Sequence, residues 1–446
     1  MDANENAAAA QAEVCTPLHK TTALCPDCLQ ELPADVYADA EGVVWMERTC
    51  PDHGSLATRM WPDAEHYQWL RSLAFPKTAP QGTIPASKPC PFGCGTCSRH
   101  QRRGTLLEIE VTRNCNLHCP VCFMSAETGE GDPTLDEISD MYDVIANAVG
   151  TDGAVQITGG EPTCRKDLPE IIRMGREKGF WGIEVNTNGL VIAARDGYLE
   201  ELVWAGLTGV YLSFDGLTGE VYEGTCGRDI LDVKMRVIER CREVGIQVVL
   251  SVAVVAGLND GQLGDLLRFC LDNADVVAGL GPAAGVHVRP LRRRARPAHE
   301  LGRRDLPAGR AVERAHRAAR RVAAGVFEPA VRHGRVLRER RAARGRAGAS
   351  VGLLPGHARH DDGGVPRGVL ARQPAGVSVF LDILDKKGVE VASGLSVVIM
   401  NYMDAVSMDT QRLRECSMMV TRLLRGRCQR SAGPTGAPFC RSARTI

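Results

Sequence analysis

The sequence contains no apolar run that approaches the roughly eighteen residues of a membrane-spanning helix. Its first residues, MDANENAAAA, are acidic and have no apolar core of the kind that a secretory signal needs. These two absences argue against a membrane-embedded or secreted protein, and we expect a cytoplasmic one. Because the cytosol is reducing, the 17 cysteines are not expected to form a disulfide framework. Closely spaced cysteines are therefore predicted to be metal ligands or catalytic thiols.

A second absence is confined to residues 281–375. This stretch has no Lys, Ile, Asn, Thr, Met, Tyr, Trp or Cys, yet it holds 22 Arg against seven acidic residues, so no ordinary core could be built from it. The missing residues have codons that contain A or T, whereas Arg, Ala, Gly and Pro have GC-rich codons. The composition thus favours a GC-rich gene read out of frame over a basic arm that neutralises nucleic-acid phosphates.

Residues 106–271 alternate regularly between strand-like and helix-like patterns. Strands are predicted at 106–111, 154–158, 182–186, 209–214 and 246–255, and helices at 134–150, 167–179, 198–206, 230–244 and 262–271. Five such repeats indicate an α/β fold, a partial (β/α)6 parallel barrel with crossover helices. Polar or glycine-rich motifs follow the first four strands, at the edge where parallel barrels place their active sites. If 281–375 is genuine sequence, we expect the barrel to lack its last strand.

Cys115, Cys119 and Cys122 form a C-x3-C-x2-C motif in the loop after the first strand. Three thiolates at this spacing can hold three irons of a [4Fe-4S] cluster and leave the fourth iron open. An open iron can chelate the amino and carboxyl groups of S-adenosylmethionine, whose sulfonium bond is then cleaved by an electron from the cluster to give a 5′-deoxyadenosyl radical. Buried or zinc-binding cysteines are the alternative interpretation of this motif.

The same spacing occurs a second time, at Cys90, Cys94 and Cys97. Because this motif precedes the first strand, it cannot lie at the barrel mouth, and we predict that it binds an auxiliary [4Fe-4S] cluster. Its fourth ligand must come from elsewhere in the chain. Cys416 is the candidate for that ligand.

Near the N-terminus, a third group of metal ligands has the two-knuckle spacing of a small tetrahedral site. The group consists of Cys25, Cys28, Cys50 and His53. This spacing suits zinc or a rubredoxin-like iron, and Cys15 is an alternative to His53 as the fourth ligand. Four protein ligands leave no open position on the metal, so a structural role is predicted rather than a catalytic one.

The motifs EVTRNCNLHCPVCF, ITGGEPT, VNTNG and YLSFDGL, in this order, resemble those of radical S-adenosylmethionine (radical SAM) enzymes. The resemblance implies that the first cysteine motif holds the catalytic cluster and that eight residues position the cofactor. These are Gly159, Gly160, Glu161, Pro162, Asn186, Asn188, Ser213 and Asp215. The GGEP backbone and carboxylate would hold the methionine amino group. The last four residues would contact the ribose or the methionine carboxylate, unless they only cap strand ends.

With CPDC, TCPDHG, CPFGCGTC and the late NYMDA included, the sequence is similar to one radical SAM subfamily over about 24–280 and 377–420. That subfamily includes tetraether lipid synthase and dimethyltransferases of a hydroxymethylated dihydropterin. The first expectation is carbon–carbon bond formation on a lipid alkyl chain, with transient membrane contact to reach the lipid. The alternative is radical methylation of a dihydropterin, which needs polar groups to hold the ring. A non-catalytic iron-sulfur or zinc protein is an interpretation of a different class.

Four parts are predicted along the chain. They are a metal-binding module at 1–85, the barrel with the preceding auxiliary motif at 86–280, the Arg-rich segment at 281–375, and a cysteine-bearing C-terminal extension at 376–446 that is aberrant after 420. The resemblance implies a small-molecule or lipid substrate and a reductant such as flavodoxin or ferredoxin. No nucleic-acid partner is expected, because the Arg-rich segment has only Phe327 for stacking on bases.

Overall fold

A computed structural model describes residues 15–72, 90, 97–122, 124, 131–284, 395–403 and 405–422. The prediction that 281–375 is out of frame falls, from residue 285 onward, outside the described residues, as does the prediction for the residues after 422. Among the residues that are described, no helix is both long enough and apolar enough to cross a membrane.

The N-terminal module is a four-stranded antiparallel sheet followed by one helix. Its strands pair in chain order and are β1 (Thr16–Leu24), β2 (Glu31–Ala38), β3 (Val44–Cys50) and β4 (Gly54–Trp61). Helix α1 (Ala64–Ser72) follows. Alternate residues of β2 and β3 are buried, and Val36, Val44 and Met46 belong to the small core that this alternation produces.

The central part is a curled, open parallel sheet with crossover helices, as predicted. Its strands are β5 (Leu106–Thr112), β6 (Ala154–Gly159), β7 (Gly182–Thr187), β8 (Gly209–Ser213), β9 (Gln247–Ala253) and β10 (Val277–Ala284), each paired in parallel with the next. The helices are α2 (Leu135–Val149), α3 (Leu168–Glu177), α4 (Leu190–Ala194), α5 (Tyr198–Trp204), α6 (Gly219–Cys226), α7 (Leu231–Val244) and α8 (Leu263–Asp272). Thr134 and Glu137 form a capping box at the start of α2.

Strands β5 to β8 each have one apolar face and one more polar face. Leu107, Ile109 and Val111 of β5 join the main core, which the helices complete. The alternating residues of β5 to β8 lie on the opposite face, called the inner face below. It carries the side chains of Glu108, Glu110, Gln156, Thr158, Glu184, Asn186, Tyr211 and Ser213.

The end of the barrel is built from two parts of the chain. A sixth parallel strand, β10, is present and runs past residue 280, because VVAGLGPAA pairs along β9 over most of its length. The C-terminal extension also contributes to the sheet. It adds β11 (Ser396–Val397) and β12 (Met400–Asn401) to β10, contributes α9 (Thr410–Arg414), and adds β13 (Met418–Arg422) in parallel to β5. Both edges of the sheet are therefore built from the last described residues.

Two short helices, α4 and α6, were not predicted. Helix α6 contains Gly219 and Gly224, and α4 has only five residues, so neither shows a clear helical period. Gly224 lies against Leu258, where a methyl group would come within 2.6 Å of the leucine side chain. Tertiary packing therefore forms α6 where local propensity would not.

Candidate active site

The loops that follow β5, β6, β7 and β8 meet at the carboxyl edge of the sheet. These loops, together with the last residues of the strands before them, contain the first cysteine motif and all the residues predicted to position the cofactor. The edge is that of a parallel sheet, where side chains from neighbouring loops converge. The structure thus brings together residues that are 100 positions apart in the sequence.

Cys115, Cys119 and Cys122 are half-buried in the loop after β5. Burial raises the pKa of Cys115, and the charges of Glu161 and Cys122 act in the same direction. Three partly exposed thiols in one loop are available as cluster ligands, and cluster binding by them remains a prediction.

Cys226, at the end of α6, lies beside the cysteine motif. Its hydrogen bond with Cys119 is the main cause that raises the pKa of Cys119 and lowers the pKa of Cys226. Cys226 is 7% exposed and packs with Leu117 and Tyr222. The sequence carried no signal for this contact, because Cys226 is over 100 residues away from its neighbour.

The two glycines of the GGEP motif allow the loop after β6 to approach the end of β5. Gly159 has φ 141°, and a Cβ on it would lie 2.2 Å from the carbonyl oxygen of Thr112. A Cβ on Gly160 would lie 2.3 Å from the carbonyl oxygen of Asn114. The backbone N–H of Gly160 donates to Thr112 O at 2.8 Å, and the N–H of Glu161 donates to Asn114 O at 2.8 Å.

The carboxylate of Glu161 is 1% exposed and accepts hydrogen bonds from two loops. Thr163 donates to it through its backbone N–H at 3.1 Å and its hydroxyl at 2.5 Å, at the start of the turn Pro162–Cys164. From the loop after β7, Thr187 Oγ1 donates at 2.8 Å and the N–H of Asn188 donates at 2.7 Å. Glu161 therefore links the GGEP and NTNG loops. Contact between its carboxylate and the amino group of a methionine remains a prediction.

Asn188 connects these loops to the cysteine motif. Its Nδ2 donates to Asn116 Oδ1 at 2.7 Å, and its Oδ1 accepts from the N–H of Leu190 at 3.0 Å, which caps α4. By contrast, Asn186 Oδ1 is buried and has no hydrogen-bond partner among the described residues. The two asparagines therefore differ in their hydrogen bonding.

Asp215 is buried at the end of β8 and ties that strand to β9. Its Oδ1 accepts from the N–H of Ala253 at 2.9 Å, and its carbonyl accepts from Asn259 Nδ2 at 2.8 Å. Burial raises the pKa of Asp215. This is the strand-end role considered as the alternative for this residue. Ser213 lies half-buried at the end of the same strand.

Lys234 is a functional candidate that sequence reasoning missed. Its side chain extends from α7, is fully buried, and donates from Nζ to the carbonyl oxygen of Asn188 at 2.6 Å. Nζ also lies 5.7 Å from the ring centre of Tyr222. Burial lowers the pKa of Lys234, whereas the nearby Cys226 and Asp215 act in the opposite direction. A lysine inside a helical pattern gives no indication of this position, because most such lysines are exposed.

The N-terminal ligand group is brought together as predicted. The ligand atoms of Cys25, Cys28, Cys50 and His53 all lie within 4.8 Å of one another. Cys28 and Cys50 Sγ are 3.8 Å apart, and Nδ1 of His53 is 3.6 Å from Cys25 Sγ and 3.3 Å from Cys50 Sγ. Metal–sulfur bonds of about 2.3 Å in a tetrahedron place ligand atoms about 3.8 Å apart, so these residues fit a zinc ion. Cys15 is outside this group.

The residues predicted to bind the auxiliary cluster are only partly described. Cys90 and Cys97 are buried, while Cys94 lies outside the described residues. The Cys90 sulfur accepts a hydrogen bond from the Arg414 guanidinium, and this contact raises the pKa of Arg414. His100 Nε2 lies 2.8 Å from the carbonyl oxygen of Cys416. Cys90 and His100 thus contact the segment that contains Cys416. Binding of an auxiliary cluster there remains a prediction.

Comparison with known proteins agrees with this architecture. The sequence profile of the radical SAM superfamily matches residues 109–270, and that of the HMPTM N-terminal zinc ribbon domain matches residues 17–62. The chain is 37% identical over 264 residues to the 7,8-dihydro-6-hydroxymethylpterin dimethyltransferase of Methanocaldococcus jannaschii, covering 58% of this chain and 52% of that protein. It is 36% identical over 173 residues to a probable GTP 3′,8-cyclase of Pyrococcus abyssi, covering 38% of this chain and 54% of the relative.

This chain therefore spans about half the length of both relatives. Among solved structures, Streptococcus suis SuiB bound to S-adenosylmethionine is similar at a TM-score of 0.38 and 19% identity, over 51% of this chain and 48% of that one. The profile matches coincide with the parallel sheet and with the four-stranded module. Residues 109–270 of this chain therefore match the radical SAM superfamily, and residues 17–62, called the zinc ribbon below, match a zinc ribbon domain.

Proposed function

We propose that this chain is a radical SAM enzyme that methylates a pterin-type heterocycle. Cys115, Cys119 and Cys122 would hold a [4Fe-4S] cluster, which supplies the electron for cleavage of S-adenosylmethionine. The relative from Methanocaldococcus jannaschii is named for a pterin substrate. The observation that carries the choice of substrate is the polar inner face of the sheet beneath the motif loops, where Glu108 and Gln156 are both buried.

The lipid chemistry that we expected first is less well supported by this face. An alkyl chain would need an apolar wall, because placing it against carboxyl and amide groups would desolvate those groups without giving them a hydrogen-bond partner. A pterin ring offers N–H donors and carbonyl acceptors that can replace the lost water. A polar heterocycle is therefore the better match to these side chains.

The residues of this chain have separable roles in the proposed reaction. Cluster binding requires the thiolate form, so the raised pKa of Cys115 means that iron must displace a tightly held proton. Glu161 holds two loops in register through its four hydrogen bonds. Lys234 places a buried positive charge close to Cys226 and Asp215. Together they fix the edge of the sheet at which the cofactor would be oriented.

The radical step is tested with Cys115→Ala. The full chain is reconstituted anaerobically with iron, sulfide and a reductant, and 5′-deoxyadenosine formed from S-adenosylmethionine is measured. We expect its complete loss in this variant. Cys241→Ala is the matched control, because Cys241 is a buried thiol within α7 and should leave the product unchanged. Formation of 5′-deoxyadenosine by Cys115→Ala would refute the cluster assignment.

The substrate is tested by offering the reconstituted chain either 6-hydroxymethyl-7,8-dihydropterin or a membrane lipid with saturated chains. The assay contains reductant, S-adenosylmethionine as the source of the radical, and a one-carbon donor, either further S-adenosylmethionine or a reduced pterin that carries a one-carbon unit, to supply the methyl carbon. Mass spectrometry should detect a methylated pterin and no coupled alkyl chains. Cys94→Ala should still cleave S-adenosylmethionine but make no methylated product, as expected for a residue of an auxiliary cluster. Coupled alkyl chains from the lipid would contradict the proposed substrate and support the lipid chemistry.

A further inference from the structure

Three neighbouring strands place polar side chains side by side on the inner face. The strand register aligns Glu108 of β5 with Gln156 of β6, and Gln156 with Glu184 of β7. Gln156 Nε2 donates to Glu184 Oε2 at 2.9 Å, so these two side chains satisfy each other. Glu108 is only 9% exposed and has no hydrogen bond or ion pair to any residue that the structure describes.

The carboxyl of Glu108 is surrounded by groups that do not compensate its charge. Burial, followed by the charge of Glu110 on the same strand, raises the pKa of Glu108 to about 7. Glu184 of β7, Tyr211 of β8 and Tyr402 of the C-terminal segment complete its titratable surroundings, and burial followed by the charge of Glu108 raises the pKa of both tyrosines. An uncompensated buried acid destabilises the fold, so its presence points to a ligand.

A second unpaired acceptor lies on the same face. Asn186 Oδ1 is buried without a partner, on β7, two residues beyond Glu184. Glu108 and Asn186 are both acceptors of hydrogen bonds when Glu108 is ionised. The molecule that completes them must therefore bring N–H or O–H donors. Gly281 of β10 packs against the Tyr211 hydroxyl, since a Cβ there would lie 2.7 Å from Oη.

We propose that Glu108 is a substrate-binding residue that accepts hydrogen bonds from two adjacent N–H donors on the edge of a planar heterocycle. This inference rests on the proposed function, because the 2-amino group and the N3–H of a pterin form such a donor pair. One carboxylate can take both donors in a two-point contact. The Gln156–Glu184 pair lies beside it, on the next two strands of the sheet.

The test is direct binding of 6-hydroxymethyl-7,8-dihydropterin to the reconstituted full chain, by wild type and Glu108→Gln. The probe is compared with the corresponding lumazine, which has a carbonyl where the pterin has its 2-amino group. Glu108→Gln should weaken pterin binding roughly 10- to 100-fold, as expected for loss of a charge-assisted pair, and should change lumazine binding far less. Glu177→Gln, at an exposed position of α3, should leave both unchanged.

Bound iron should be the same in Glu108→Gln and wild type, because Glu108 lies on the strand and not in the cysteine loop. Equal pterin affinity in wild type and Glu108→Gln would overturn the inference and leave the proposed function standing. Cleavage of S-adenosylmethionine by a wild type that does not bind the pterin would overturn the proposed substrate and this inference together.

A second measurement does not depend on the folding of a variant. Because the donors require an ionised acceptor, pterin affinity of the wild-type chain should fall as the pH is lowered from 8 to 6. An affinity that stays constant over this range would also overturn the inference.

Discussion

Lys234 places a fully buried positive charge beside the cysteine loop. Lys234 interacts electrostatically with four acidic groups, those of Cys226, Asp215, Glu161 and Cys119. Its charge therefore acts on the region where the cluster is proposed to bind. A nearby cation favours the reduced, more negative form of an iron-sulfur cluster. Removal of this charge should therefore make the cluster harder to reduce.

We expect Lys234→Met to shift the reduction potential of the reconstituted cluster to more negative values, on the order of tens of millivolts. The potential is measured by a redox titration followed by electron paramagnetic resonance. Arg236→Met, at an exposed position of the same helix, is the control and should leave the potential unchanged. An unaltered potential in Lys234→Met would show that the lysine acts only through its hydrogen bond to Asn188.

Glu108 also predicts a pH dependence of stability. Its pKa rises from the model-peptide value of 4.5 to about 7 on folding, so the folded chain binds this proton more tightly than the unfolded chain. The raised pKa therefore lowers the free energy of unfolding. This decrease is absent below pH 4.5 and grows until the pH passes 7. Glu108→Gln removes it and should gain stability over wild type between pH 5 and pH 8, by up to about 3 kcal/mol. Denaturant unfolding of both proteins at these two pH values is the measurement, and an equal difference at both would contradict the prediction.

The GGEP loop shows how one element depends on the end of another. Gly160 lies very close to the backbone after β5. The atoms nearest to an added Cβ are backbone atoms, with the carbonyl oxygen of Asn114 the nearest, so no flexible side chain could move aside to make room. We expect Gly160→Ala to destabilise the chain by about 1–3 kcal/mol and to lower iron incorporation, because the GGEP loop must move away from the cysteine loop. Both are measured on the reconstituted protein.

Gly264→Ala is the matched control for this substitution. Gly264 lies in the first turn of α8 with no atom within 4 Å of an added Cβ. Alanine is the better helix former, so this variant should be as stable as wild type or slightly more stable. If Gly160→Ala were as stable as Gly264→Ala and incorporated as much iron, the close approach of the GGEP loop to the cysteine loop would not affect stability or cluster assembly.

Across the whole molecule, the zinc ribbon is attached to the C-terminal segment that completes the sheet. Arg48 is buried and donates to the carbonyl of Val406 at 2.6 Å. Thr21 donates to Asp409 at 2.6 Å, and Arg414 forms an ion pair with Glu31 at 2.6 Å. These contacts link the ribbon to α9, which immediately precedes β13. Metal binding in the ribbon should therefore help to hold the last strand against β5.

We expect Cys28→Ser to lose the ribbon metal and to become sensitive to trypsin within 405–417. Mass spectrometry of the metal content and of the tryptic fragments is the measurement. Cys15→Ser should keep both the metal and the resistance, since Cys15 is exposed and outside the ligand group. Loss of metal without new cleavage in this segment would show that the C-terminal contacts persist without the folded ribbon.

Much of this architecture was predictable because its signals are local. The five strands were placed within a few residues, since alternating burial depends on neighbouring positions, and the capping box of α2 depends on two residues three apart. The ribbon ligands were also identifiable, because two pairs at knuckle spacing converge once the hairpins form. The roles of the cofactor-positioning residues stay predictions.

Other features depend on distant parts of the chain and left no local signal. The composition and motif order were enough to indicate a parallel β/α sheet with thiol chemistry at its carboxyl edge, because the hydrophobic period and the ligand spacing can be recognised within short stretches of sequence. The pairing of β13 with β5 could not be predicted from the sequence. It joins residues about 310 positions apart through backbone hydrogen bonds that do not depend on side-chain type. The same holds for Cys226 beside Cys119, Lys234 under Asn188, and the unpaired carboxyl of Glu108. Burial and charge at these positions arise only when the folded chain excludes water from them.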